Sequence, residues 1–324
     1  METQESDFSI FEDSFAYKLW TKSLVSRIIY VSIPFIIVGA FILMLHKRGA
    51  FGSNIEYNFF EDYANSYHLF GTFIFNYFMR GSFINYYKNK LNAVTNNCTN
   101  NKRSVFAIIY ITSFVIAHIS LFFSGSAKDY GERVWVNHLN NFELVFYKLT
   151  VLYIWATTIQ LFLIIIYYTY LLYNEAKSER LIINVGHIDG RCGLKGVFSA
   201  ISSSVGYGIV LLLMIAIQII SDQRAKSHFG MEFEMNKYLY IIAMIAILIS
   251  GVYFGIMIIT YIVVNNITRI RIEREYNNGS GDQDRLISLY RSHFDARGVV
   301  TFILTVLFPS AIAAIQFSGL LSWL

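Results

Sequence analysis

The chain alternates between long runs that are apolar all round and shorter polar connections. Apolar runs fall at 28–45, 105–123, 149–172, 201–220, 238–264 and 299–321. Each holds about 18 residues or more, enough to cross a hydrocarbon core of roughly 30 Å as a helix. A seventh segment, 63–84, is strongly aromatic but also carries Asn65, His68, Asn76 and Arg80. Tyrosines favour the membrane interface and an arginine near a span end can snorkel, so this segment either crosses or lies among the headgroups. The pattern predicts an all-α polytopic membrane protein, a bundle of six or seven transmembrane helices over 28–324. Residues 1–27 form an acidic tail, with Glu2, Glu5, Asp7, Glu12 and Asp13 ahead of the first basic residue, Lys18. An interfacial turn is expected there around Phe11 to Trp20.

Composition sharpens this picture. Hydrophobic residues make up 55% of the chain and charged residues only 15%, against roughly 25% charged in a soluble domain. The net charge of +4 comes from basic residues in the connections, where membrane topology explains them better than nucleic-acid binding, and no nucleic-acid partner is expected. With six spans, the connections 46–104, 173–200 and 265–298 hold 17 of the 26 Lys and Arg residues. With seven, the N-terminal tail, 85–104, 173–200 and 265–298 hold the same 17. Either count makes 173–200 and 265–298 cytoplasmic and puts the C-terminus on the opposite side of what is expected to be the plasma (inner) membrane. The N-terminus changes side between the two arrangements. The sequon Asn97-Cys98-Thr99 is cytoplasmic in both.

Breakers and small residues mark local geometry. The stretch Ile267 to Tyr276 reads as the fifth span continuing as a charged helix, stopped by the turn cluster Asn277-Asn278-Gly279-Ser280-Gly281-Asp282. Pro34 and Pro309 both fall inside spans, where proline frees a carbonyl and bends the helix. Gly251 and Gly255, and Ala200, Ser204 and Gly208, recur at every fourth position. Such spacing lets helix backbones approach closely, within one chain or between subunits.

Candidate chemistry rests on a repeated skeleton. His187-Ile188-Asp189-Gly190-Arg191 and His293-Phe294-Asp295-Ala296-Arg297 both read His-x-Asp-x-Arg, both precede an apolar run, and Arg180-Leu181-Ile182 and Arg285-Leu286-Ile287 stand ahead of them. This is a candidate internal duplication. Residues i and i+2 of a regular helix point about 200° apart, so His187 and Asp189 can grip one ion only outside a helix. Gly186, Gly190 and Gly193 make a turn there reasonable. If the copies converge, two imidazoles and two carboxylates suit a divalent metal, and two arginines suit an anion. If they do not, each copy is an independent cap and interfacial anchor, with Asp295 capping the last span.

Within the runs there is no Asp, Glu, Lys or Arg apart from Arg80 in the aromatic segment. Ion-coupled pumps place ionisable groups at that depth, whereas a passive pore needs only uncharged polar groups. A lone span histidine such as His118 is expected to bond a neighbouring helix. Hydrolase, Walker and di-iron histidine motifs do not occur, and no catalytic residue is assigned. The favoured function is a homo-oligomeric channel or passive permease for ions or small solutes, gated by a ligand at the paired motif or constitutively open. The alternatives are a membrane-bound metal-dependent enzyme or sensor using that pair, and a membrane scaffold without a site.

Overall fold

A computed structural model describes residues 23–52, 54–62, 68–78, 94, 103–123, 131–185, 187, 191–201, 204, 228–229, 237–279, 284 and 286–288. The expected span 299–321 and most of 201–220 lie outside these residues, as do Asp189, His293, Asp295, Arg297, Gly208, Pro309 and the sequon. Four long helices organise the rest: α1 (Leu24–Lys47), α2 (Arg103–Phe123), α3 (Asn141–Lys177) and α4 (Lys237–Asn277). Among the described residues three helices, Leu24–Lys47, Asn141–Lys177 and Gly251–Asn277, are long and apolar enough to cross a membrane. Among the described residues there is no strand, only an isolated bridge between Tyr57 and Val134. The chain divides into two compact units, one of Met1–Phe83, Arg103–Leu161 and Leu213–Ile245, the other of Ile84–Lys102, Phe162–Leu212 and Ala246–Leu324.

In the first unit, α1 starts at Ser23, whose hydroxyl accepts the Ser26 N–H. The helix runs through Pro34 and buries Tyr30, Pro34, Val38, Phe41 and Leu45 along one stripe. Its other faces are also apolar, with Leu24, Val25, Phe35, Ile36 and Leu43 exposed. A helix apolar all round needs lipid or protein on every side. Gly49, at φ 69, turns the chain out of the helix in the left-handed conformation that glycine adopts without strain. α3 begins with a reciprocal cap: Glu143 N–H donates to Asn140 Oδ1, and Asn140 N–H to the Glu143 carboxylate. The same carboxylate accepts Arg48 Nε at 2.7 Å, tying the end of α1 to the start of α3.

The loops between these helices close over an aromatic core. Tyr57 N–H donates to Arg133 O and Trp135 N–H to Tyr57 O. Trp135 is fully buried, edge-on to Phe59 and Tyr147, and its indole N–H donates to Asp62 Oδ2 at 3.1 Å. From this cap the chain returns beside α1 and α3 as a π-helical turn (His68–Thr72) followed by helix through residue 78. Phe70 meets Phe59 at the start of that segment, Phe73 meets Tyr153, and Tyr77 meets Tyr30 at its end. It therefore runs antiparallel to α1 and parallel to α3.

In the second unit the C-terminal part of α3 packs on α4. Phe162 stacks on Tyr253 at 4.4 Å, and Thr169 Oγ1 lies 3.5 Å from Met257 Sδ. Helix α4 is one unbroken helix of 41 residues, so the apolar fifth run and the charged stretch to Tyr276 share one axis. At about 1.5 Å per residue it extends well past a 30 Å hydrocarbon core. Arg269–Glu273 and Arg271–Glu275 pair at i,i+4 on its charged end.

Candidate functional site

The described part of the first His-x-Asp-x-Arg copy lies in the second unit on non-helical chain, the condition its chemistry requires. Asn184 N–H donates to Cys192 O and His187 N–H to Asn184 O, closing a turn. Cys192 at φ 54 and Gly193 at φ 82 both take the left-handed conformation. A side-chain carbon at Gly193 would stand 3.9 Å from the His187 ring. His187 is exposed, while the Arg191 guanidinium sits 5.5 Å over the Phe198 ring, a cation–π contact.

Beneath this turn, Val185, Cys192, Ile272 and Leu286 form one buried cluster, with Ile183 against it. The connection bearing the first copy thus touches the end of α4 and the segment just ahead of the second copy. The two Arg-Leu-Ile segments behave alike: Leu181 and Leu286 are buried, whereas Ile182 and Ile287 are exposed. Ile182 N–H also donates to Val94 O, joining a third connection to the same region. Arg274 reaches Glu179 at 3.2 Å on the surface. Among the described residues no group of three His, Cys, Asp or Glu side chains is placed to hold a metal.

The small-residue positions divide. Ala200 and Ser204 are buried, Ser204 Oγ donates to Ala200 O, and Tyr253 Oη donates to Ser204 O at 2.6 Å. That bond ties the helical residues 195–201 and 204 to α4. Gly251 is exposed and Gly255 half-buried, each with open space where a side chain would begin. Packing on α4 is carried instead by Tyr253, Phe254, Met257 and Val264. Pro34 is buried inside α1.

Polar groups also sit inside the helical core of the first unit. Asn76 is buried, and its amide donates to Ile154 O, Thr157 Oγ1 and Thr158 Oγ1 at 3.2, 3.2 and 2.6 Å. Gln160, near the middle of α3, is buried with its Nε2 lacking a hydrogen-bond partner, as is Thr72 Oγ1. Thr260 Oγ1 on α4 is in the same condition within the second unit. An unsatisfied polar group in a dry interior costs several kcal/mol, roughly 2–7 depending on reference state. The sequence marked Asn76 and Gln160 as polar, but only packing distinguishes a bonded amide from an unbonded one.

A cavity lined by Ile37, Val38, Phe41, Phe70, Phe73 and Thr150 holds only about 10 Å³. It is at most water-sized, and the Thr150 hydroxyl already donates to Phe146 O. It offers no solute path. Compared with protein-family models, curated proteins and solved structures, the chain matches none.

Proposed function

We propose that the chain is a seven-span membrane protein that forms an oligomeric passive channel or permease for ions or small solutes. Its arrangement is supported by contacts inside the first unit. With six spans, residues 46–104 and 124–148 face opposite sides of the bilayer, yet Arg48 pairs with Glu143 and Tyr57 bonds Arg133 and Trp135. With seven, these loops share one side, 63–84 crosses beside α3, and 173–200 and 265–298 are cytoplasmic.

The observation that carries the function is the makeup of α3. Between Lys148 and Glu175 it has no charge, yet its buried middle holds Gln160, whose Nε2 has no hydrogen-bond partner among the described residues. Uncharged donors at mid-membrane depth suit passage of water, ions or neutral solutes, while the lack of charge there disfavours ion-coupled pumping. The test is flux in reconstituted liposomes with wild type and Gln160→Leu. Flux in wild type, reduced in the variant while its melting temperature holds or rises, supports the reading; no flux of any ion or small neutral solute by wild type sinks it.

A second reading, a membrane-bound metal-dependent enzyme or sensor, draws on the shared cluster of Cys192, Ile272 and Leu286, which gathers the connections of both motif copies. Thermal melts with divalent metals and anions, run beside His187→Ala/His293→Ala, separate it. A ligand at a hundred times its dissociation constant stabilises by about 2.7 kcal/mol. A shift in wild type that the double variant lacks favours this second reading.

A further inference from the structure

Among the described side chains of helix α2, only a narrow stripe is buried. Phe106, Ile109, Ser113 and Ala117 are buried, and the Ser113 hydroxyl donates to Ile109 O. The outward face carries Ile111, Phe114 and Val115, 65%, 54% and 47% exposed, at i, i+3 and i+4. Position i+7 on that face is His118, also exposed. Acyl chains can cover the first three side chains, but they cannot satisfy the fourth.

His118 lies five residues before the helix end at Phe123, about 7–8 Å inside it and about 20 Å from Val105. Its ring stacks on Phe114, 13° from parallel with centroids 6.4 Å apart. Among the described residues neither ring nitrogen has a hydrogen bond or an ion pair. Ile116 and Ile119 beside it are exposed too, so the imidazole sits in an apolar belt. The sequence leads one to expect a histidine bonded to a neighbouring helix; its side chain is exposed, and no such partner stands beside it among the described residues.

We infer that a second copy of this chain covers the outward face of α2, with His118 paired to His118 of that copy. A neutral imidazole carries one N–H donor and one bare acceptor nitrogen, so two rings complement each other: the N–H of one donates to the bare nitrogen of the other. Copies inserted in the same orientation are related by a two-fold axis along the membrane normal, which places each seam residue opposite its own mate. The i, i+3, i+4, i+7 set supplies interlocking side chains around that bond. Polar self-complementarity selects this partner over lipid. The inference names the contact behind the oligomer in the proposed function, but its test does not depend on flux.

Single cysteines at Ile111, Val115 and Ala117 are introduced into a Cys98→Ser background that retains the buried Cys192, and the proteins are reconstituted at high lipid dilution. Oxidative cross-linking between copies is expected for Ile111→Cys and Val115→Cys and absent for Ala117→Cys, which faces inward. Adding His118→Leu to Val115→Cys should weaken self-association about three- to tenfold, and His118→Asn, which keeps a donor and an acceptor, should restore most of it. Monomers at every position, equal cross-linking at Ala117, or no effect of His118→Leu would each overturn the inference and leave lipid as the occupant. A His118-dependent dimer that passes no solute would retain the dimer and discard the channel; flux from a proven monomer would do the reverse.

Discussion

In the first unit, the loops at 48–62 and 131–140 are locked by a buried tryptophan, a bonded Asp62, the Arg48–Glu143 pair and a ring-on-ring core. In the second, the connections around 179–194 and 272–288 share a four-residue buried cluster and a surface Glu179–Arg274 pair. One region is a core built outside the helices; the other is a non-helical turn that buries Cys192 and displays His187. An exposed side chain on a surface turn can meet a ligand, whereas a buried ring cluster holds the elements around it together. The contrast gives the loops of the first unit the work of holding helices in register and leaves His187 exposed on the second.

Substitutions should rank the two regions. Trp135→Ala removes the largest buried side chain of the cap and is expected to cost about 3–5 kcal/mol, read as a lower melting temperature and faster proteolysis of the loops. Glu143→Ala breaks a helix cap and strands Arg48, at about 1–3 kcal/mol. Asn76→Leu loses an interhelical bond worth about 0.6 kcal/mol on average and up to roughly 1.7. Arg274→Ala, at an exposed pair in the second unit, should move stability by no more than about 0.5 kcal/mol. A larger loss from Arg274→Ala than from Glu143→Ala would reverse the ranking.

A smaller effect is titratable. Hydrogen bonds from Arg133 hold the Glu56 carboxyl below its ordinary pKa of 4.5, reinforced by the charge of Arg133 and by His228, 3.8 Å away. Because the folded-state pKa is depressed, the stabilisation is complete above the ordinary value and fades as pH falls through the depressed one. Acid melts of wild type and Glu56→Gln should therefore differ most above about pH 4.5 and converge only as pH falls through the depressed folded-state value. Parallel curves at all pH values would show that Glu56 contributes nothing.

Much of the helical plan was legible in the sequence because hydrocarbon imposes a crude rule. Runs such as 28–45 and 149–172 must be apolar all round, and the helices that contain them, Leu24–Lys47 and Asn141–Lys177, extend further because polar ends continue the backbone hydrogen bonding beyond the core. In the 63–84 segment Asn76 looks costly in lipid, and its three acceptors on α3 cannot be read from the sequence. The cap was legible only in fragments: Asn140-x-x-Glu143 is a readable capping box, but nothing local tells Trp135 to seek Asp62, 73 residues away. At the motif, glycines foretold a turn around His187. Its depth against Leu286 depended on a long-range cluster that periodicity does not encode.

The seven-span arrangement is the main proposal, and thiol accessibility tests it most directly. Asn54→Cys in the cap and Ser178→Cys at the end of α3, each in the Cys98→Ser background with Cys192 buried, are treated in intact cells with a membrane-impermeant maleimide. Asn54→Cys should label at once and Ser178→Cys only after permeabilisation. Labelling of both from the same side would restore the six-span arrangement and contradict this account.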